Sequence, residues 1–144
     1  MSQARTLPGI FITGTSTGVG KTHVGVLLAE ALSAINIPVH PRKPVESACE
    51  IVDGVLFPAY AQTLMQAAAY TGKLAEVCPS RFQPPLSPAR AARLANTSLA
   101  TAQLVRACLR GSEGGVILVE GAGGFYSPLT ENGLNADLSE ALQL

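Results

Sequence analysis

The chain has 144 residues, with ten Lys and Arg against ten Asp and Glu, so its formal net charge is zero. Only 14% of the residues are charged, against roughly 25% in typical soluble domains, which argues against a disordered tail and against an electrostatically driven nucleic-acid binder. Because 47% of the residues are hydrophobic, the composition favours a single globular α/β domain over residues 1–144.

The first predicted elements are a strand, a helix and a second strand. A short apolar run at residues 9–13 breaks into glycine-rich chain, as a buried parallel strand does before a phosphate-binding loop. Apolar residues then recur with helical spacing over about residues 21–36. Residues 37–43 are predicted to be a short strand that delivers Lys43, and residues 44–57 are expected to be loop.

Three helices are predicted in the middle of the chain. The first covers about residues 59–71. A Ser-Pro pair at 87–88 places an N-cap residue before a proline, which is typical of a helix start. Thr97 or Ser98 is predicted to cap a longer third helix that ends at Arg110.

A further strand and helix complete the predicted fold. Residues 116–119 form a continuous apolar run, and residues 134–142 are predicted to be helical. Alternating strands and helices indicate a three-layer α/β fold with a mainly parallel sheet. Because ligands bind at the carboxyl ends of parallel strands, the segments 14–22, 43–47 and 120–124 are expected to converge on one crevice.

Residues 14–22, with the sequence GTSTGVGKT, follow a strand and open a helix, which is the context that a phosphate-binding loop requires. Its glycines let backbone N–H groups converge on anionic oxygens, and the helix N-terminus adds its dipole. Lys21 can reach terminal phosphates, and the Thr22 hydroxyl can ligate Mg²⁺. Five residues separate Gly14 from Gly20 where the strict pattern has four, so the loop is an enlarged variant.

Charged residues follow the other two predicted strands. Lys43 would add a second ammonium group, which stabilises charge on a transferred phosphoryl group, and Ser47 can hydrogen-bond a substrate. A snorkelling surface lysine is the alternative interpretation. Glu120 ends an apolar strand, where a carboxylate is poorly solvated, so Mg²⁺ shared with Thr22 would give it a role. The alternative interpretation of Glu120 is a carboxylate that caps a nearby helix.

Together these segments resemble dethiobiotin synthetases, the ATP-dependent enzymes of biotin biosynthesis. The matching stretches are GTSTGVGKT at 14–22, KPVES at 43–47, LSPARAA at 86–92 and VEGAGGFYSPL at 119–129. The resemblance implies a P-loop NTPase-like fold, a homodimer and a cytoplasmic enzyme. It implies that the enzyme binds Mg²⁺ and ATP and uses 7,8-diaminononanoate and CO2 or bicarbonate as substrates. It also implies that a carbamate forms first and a carbamic-phosphoric anhydride second, before the ureido ring closes.

By position, the resemblance places catalytic roles on Lys43, Lys21 and Thr17 and magnesium ligation on Thr22 and Glu120. Substrate contact falls to Ser47 and again to Thr17. The resemblance also implies two ATP-binding stretches, which consist of Gly18, Val19, Gly20, Lys21, Thr22 and His23, and of Glu120, Gly121, Ala122 and Gly123.

The main departure from the family lies at one position, with milder ones at Ala48 and Ser16. The aspartate that contacts magnesium and nucleotide in dethiobiotin synthetases falls on Tyr60, whose neutral phenol is a poor ligand for a hard cation. We therefore expect weakened Mg-ATP binding, or a remodelled metal shell in which Glu46, Glu50 or Asp53 substitutes. Related synthetases are longer, so C-terminal strands of the family's sheet are expected to be missing from this chain.

Two other functions stay open. A different P-loop amide-forming ligase or a MinD-like ATPase would share the phosphate-binding loop, although KPVES at 43–47 and SPARAA at 87–92 favour the biotin pathway. A catalytically impaired copy that serves as a binding or dimerisation module is favoured by Tyr60.

Membrane and metal-cluster proteins are expected to be excluded. The apolar run at 10–13 is far shorter than the ~20 residues of a membrane-spanning helix. Cys49, Cys78 and Cys108 are too widely spaced for a zinc knuckle or a CxxC motif, and a sparse odd set indicates a reducing compartment.

Overall fold

The computed structural model describes residues 8–144. Its elements in chain order are β1 (Gly9–Ile12), α1 (Lys21–Ala34), β2 (Val39–Arg42), β3 (Val45–Glu46), β4 (Glu50–Val52), β5 (Val55–Phe57), α2 (Ala59–Ala67), α3 (Leu74–Val77), β6 (Ser80–Arg81), α4 (Pro88–Leu94), α5 (Thr101–Leu109), β7 (Val116–Glu120), β8 (Pro128–Thr130), β9 (Gly133–Leu134) and α6 (Asn135–Leu142).

The central sheet has the strand order β1-β7-β2, and both pairings are parallel. Strand β7 lies in the middle, and four of its five residues are buried, as expected for a continuous apolar run covered on both faces. In register, Ile12 of β1 pairs with Glu120, and Arg42 of β2 pairs with Val119. The carboxyl ends of all three strands therefore meet at one edge, as the sequence predicts.

Helices cover both faces of this sheet, which confirms the predicted three-layer α/β fold. On one face Leu118 packs with Ile12, Val39 and Ala29 of α1. On the other face Ile117 and Val119 pack in a cluster that also contains Leu104 of α5 and Leu138 of α6. Neighbouring residues of β7 thus point to opposite layers, because side chains alternate along a strand.

The expectation of loop over residues 44–57 is wrong. Strand β3 pairs with β6, and β4 and β5 form an antiparallel hairpin. The hairpin turns at Asp53 and Gly54, which both have positive φ (51° and 77°), the conformation that two-residue hairpin turns require. An Asp-Gly pair between β-branched residues was the available signal.

The predicted start of the third helix is also wrong. Helix α5 begins at Thr101, after an extended Ala100, rather than after Thr97 or Ser98. Leu99 lies in the core with 5% of its surface exposed. Its burial in the segment before the helix shifts the helix start past both hydroxyl residues. By contrast, α4 begins at Pro88, as the Ser-Pro pair predicts.

Within residues 8–144, every helix is too short or too polar to cross a lipid bilayer.

Candidate functional site

The phosphate-binding loop connects β1 to α1. Gly20 has φ 107°, a conformation that favours glycine, and its carbonyl accepts the N–H of Val24 in the first turn of the helix. Lys21 is 8% exposed, and its Nζ donates to the carbonyl of Ser16, 2.8 Å away. The Lys21 side chain thus lies against the backbone of its own loop. Its ammonium group is close to the backbone atoms that would surround a phosphate.

The ends of β2 and β7 bring two charged side chains to this loop. Lys43 directly follows β2, and its Nζ donates to Oε1 of Glu120, 2.7 Å away. The hydroxyl of Thr22 donates to the same oxygen from 2.8 Å. The Lys43 and Glu120 side chains are 7% and 2% exposed, so the pair has given up most of its hydration. Three segments far apart in sequence therefore meet at one carboxylate.

The second oxygen of that carboxylate has no hydrogen-bond partner among the described residues. This atom, Oε2 of Glu120, is buried, so its lack of a partner is a costly state for a carboxylate oxygen. Mg²⁺ is commonly held by one or two carboxylates together with phosphate oxygens. Residues 8–144 hold no group of three or more His, Cys, Asp or Glu arranged for a metal. Thr22 and Glu120 are two oxygen-bearing side chains that could hold a magnesium ion together with the phosphate oxygens of a nucleotide.

Two ammonium groups face this one paired carboxylate. Burial lowers the pKa of Lys21, the nearby charge of Lys43 lowers it further, and Glu120 partly offsets both effects. A second anion near Lys21 would favour its charged form. The electrostatics of the loop thus favour an anionic ligand such as a phosphate.

A cavity of about 320 Å³ opens at these residues and contains most of the predicted site. Its lining consists of Thr17, Gly18, Gly20, Lys21, Thr22, Lys43, Glu46, Ser47, Tyr60, Glu120, Ala122 and Gly123. Three predicted ATP-binding residues do not line it. Val19 and His23 are exposed, whereas Gly121 is buried and its N–H donates to the carbonyl of Ile12.

Tyr60 lies at the start of α2 and borders the cavity. It is 56% exposed, and its ring centroid lies 5.9 Å from Nζ of Lys43, a cation–π arrangement. The position where the family has an aspartate thus presents an aromatic ring to the lysine at the end of β2.

Glu46 is the single one of the three expected substitute carboxylates that lines the cavity. Its two oxygens accept the backbone N–H groups of Tyr60 and Ala61 at 3.0 and 2.9 Å, so it caps α2. Burial raises its pKa, although these N–H groups and Lys43 work in the opposite direction. Glu50 and Asp53 lie exposed on the β4–β5 hairpin, so the expectation that either substitutes at the metal site is wrong.

Asn135 is a site residue that sequence reasoning missed. It is fully buried at the start of α6, where its Nδ2 donates to the carbonyls of Ala122, Gly124 and Ser127 at 2.9–3.1 Å. Its Oδ1 accepts the N–H of Ala122. These bonds fix the loop after β7, and a lone Asn in a polar stretch gives no signal of such a role.

Arg42 was also missed. The residue is 1% exposed, and its guanidinium donates to the carbonyls of Pro41, Cys108 and Arg110 at 2.8–3.0 Å. Two of these carbonyls belong to the end of α5, so Arg42 fastens the end of β2 to that helix. The neighbouring Lys43 is thereby held in place.

Comparison with known protein families gives one match over nearly the whole chain. Residues 8–144 match a family model described as an AAA domain.

Curated relatives match over a similar extent. The chain is 39% identical over 137 residues to the ATP-dependent dethiobiotin synthetase BioD of Anaeromyxobacter dehalogenans strain 2CP-1, covering 94% of this chain and 60% of that protein. The proteins of the same name from Rhodopirellula baltica and Caulobacter vibrioides NA1000 are each 38% identical, covering 90% and 96% of this chain. These findings confirm the resemblance seen in the sequence. The chain spans 52–64% of the length of these three relatives.

Proposed function

The chain belongs to the AAA domain family that its residues 8–144 match, and from that premise we propose that it acts as an ATP-dependent dethiobiotin synthetase. One amine of 7,8-diaminononanoate adds to CO2 to form a carbamate. A carbamate oxygen takes the γ-phosphoryl group of ATP and releases ADP. The second amine then displaces phosphate and closes the ureido ring of dethiobiotin.

The cluster of Lys43, Thr22 and Glu120 beside the phosphate-binding loop is the observation that carries this proposal. Phosphoryl transfer needs little covalent chemistry from the protein, so positioned cations supply most of the stabilisation. We assign Lys21 and the loop N–H groups to the phosphates, and Lys43 to the charge that develops during transfer. Thr17 and Ser47 line the same cavity and are assigned to the carbamate and the substrate.

Thr22 and Glu120 would hold the magnesium ion, which neutralises phosphate charge when it is bound. The buried free oxygen of Glu120 supports this assignment. Val19, His23 and Gly121 are assigned to the nucleotide-binding stretches by family resemblance alone.

The remaining assignments follow the family. We propose that residues 1–144 form one domain, that the protein acts in the cytoplasm, and that it pairs as a homodimer. Exposed apolar residues on α1 and just after it support an apolar contact, since Val24, Leu27 and Ile35 are 48–65% exposed.

Product formation tests the proposal. The purified chain is incubated with ATP, Mg²⁺, bicarbonate and 7,8-diaminononanoate, and dethiobiotin is measured by mass spectrometry. Dethiobiotin that depends on all four components supports the proposed activity. ATP binding without any product would instead support the second candidate, a nucleotide-binding module, which Tyr60 in place of an acidic residue favours.

A further inference from the structure

Four charged side chains line the cavity, and two of them pair with each other. Lys43 and Glu120 form the ion pair described above. Lys21 donates to a backbone carbonyl, and Glu46 accepts from backbone N–H groups. Within residues 8–144, neither Lys21 nor Glu46 has an oppositely charged side chain within 4 Å. The cavity therefore presents one positive and one negative group to a ligand.

Glu46 has the burial and the capacity to bind a cation. It is 3% exposed and yet reaches the cavity wall. An ionised carboxylate has about four acceptor positions, and two are used by the N–H groups of Tyr60 and Ala61. A buried charge with so few partners is costly, and a cationic ligand would offset that cost.

The neighbour of Glu46 indicates which kind of cation fits. Tyr60 borders the same cavity and already attracts the ammonium of Lys43 to its ring. A carboxylate next to an aromatic ring suits an organic ammonium, which combines hydrogen bonds with cation–π attraction. Mg²⁺ instead requires near-octahedral oxygen ligands at short distances, while both oxygens of Glu46 are already oriented by backbone N–H groups.

We propose that Glu46 and Tyr60 form a subsite for an ammonium group of the diamine substrate. This inference rests on the proposed function, because it assigns one part of the same cavity. The loop around Lys21 receives phosphate, and the wall formed by Glu46 and Tyr60 receives the amine. Lys43 lies next to both, bonded to Glu120 and facing the ring of Tyr60.

Calorimetric titrations test the subsite with two ligands measured separately. We expect Glu46→Gln to raise the Kd for 7,8-diaminononanoate about tenfold or more, because a charge-assisted bond is lost. The Kd for Mg-ATP should change by less than about threefold in the same variant. The matched control is Glu50→Gln, a carboxylate exposed on β4 outside the cavity, which should leave both constants unchanged.

A second pair of variants tests the ring. Tyr60→Leu keeps the backbone N–H that Glu46 accepts but removes the aromatic face, so it should weaken diamine binding several-fold. Tyr60→Phe keeps the face and should bind the diamine about as well as the wild type does. Equal affinity of the Leu and wild-type proteins would remove Tyr60 from the subsite.

Other outcomes overturn the inference. A loss of Mg-ATP affinity in Glu46→Gln with unchanged diamine affinity would make Glu46 a metal ligand, and no change in either would make it only a helix cap. If Glu46→Gln does not fold, the wild type is titrated with the N,N′-diacetylated diamine, whose affinity should be lower. Equal affinity of that neutral derivative would contradict a carboxylate receptor.

These results also separate the subsite from the proposed function. Diamine binding that depends on Glu46 without any dethiobiotin formation would sink the proposed activity and leave the subsite standing. A wild-type chain that binds Mg-ATP but not the diamine would contradict both the subsite and the proposed activity.

Discussion

Glu120 is the residue on which the site depends, because its Oε1 accepts from both Lys43 and Thr22. Removing one partner of a buried ion pair leaves an uncompensated charge, so replacing one partner should lower the free energy of unfolding. The other oxygen of this carboxylate, Oε2, has no hydrogen-bond partner among the described residues and is the one that we assign to magnesium. We therefore expect substitutions of Glu120 to change both the stability of the chain and its binding of Mg-ATP.

Lys43→Met should lower the free energy of unfolding by about 3–5 kcal/mol, because Glu120 stays buried without its cation. Urea denaturation followed by circular dichroism measures this change. Adding Glu120→Gln to Lys43→Met should recover part of the loss, since the uncompensated charge is removed. Lys73→Met, at an exposed lysine, is the control and should have little effect. A Lys43→Met protein as stable as the wild type would contradict the buried pair.

Tyr60→Asp should tighten Mg-ATP binding, because it adds a carboxylate to the cavity that Thr22 and Glu120 also line. Asp in the first turn of α2 is also favourable toward the helix dipole. Calorimetry of Mg-ATP measures the gain, and Tyr60→Asn separates charge from size. Unchanged affinity in the Asp variant would contradict the expectation that Tyr60 weakens Mg-ATP binding.

Helix α6 contributes to the site through its first residue. Asn135→Ala removes bonds to three carbonyls and one N–H of the loop after β7. The free energy of unfolding should fall by at least about 2 kcal/mol, since buried backbone groups lose their partners. Thermal and urea unfolding measure this, with Asn132→Ala in the exposed β8–β9 turn as the control. Equal losses in the two variants would contradict a special role for Asn135.

The elements that could be predicted are those with a strong local pattern. Residues 9–13 and 116–119 are apolar runs that end in polar chain, so their strands and the convergence of their ends followed from general rules of parallel sheets. The β4–β5 hairpin was missed because its strands are short and largely exposed, without a buried face to impose alternation.

Most of the candidate site could be predicted as well, but the residues that hold it together could not. Lys21, Thr22, Lys43 and Glu120 lie in recognisable positions next to strand ends. Arg42 and Asn135 act by bonding to backbone groups of remote segments. No spacing or composition signals such bonds before the chain is folded, because the partners are main-chain atoms common to every residue.

The whole molecule can be probed through its three cysteines, which are all buried and free. Burial raises the pKa of Cys78 and of Cys108 to about 12, so both stay as unreactive thiols at pH 8. The native protein should hardly react with a thiol reagent such as DTNB. The denatured protein should react with it at all three thiols. Rapid reaction of Cys78 or Cys108 in native buffer would contradict a closed core.

The thiols of Cys78 and Cys108 also predict how the free energy of unfolding changes with pH. Their pKa is higher in the folded chain than the value of about 8.5 expected in the unfolded chain. The folded state therefore holds these protons more tightly, and the associated stability is lost as the pH rises from about 8.5 toward 12. Urea midpoints between pH 7 and pH 10 should fall, and replacing Cys108 by Ala should flatten that fall. A midpoint that rises with pH over this range would contradict the assignment.

We expect the ends of β1, β2 and β7 to build one site for a magnesium-bound nucleotide, and a single calorimetric comparison tests this expectation. ATP is titrated into the wild-type chain with Mg²⁺ and again with EDTA, and adenosine is titrated as the ligand without phosphates. We predict clear binding of Mg-ATP, binding about tenfold or more weaker in EDTA, and none for adenosine. Absence of Mg-ATP binding, or equal affinity for adenosine, would contradict a nucleotide site at these strand ends.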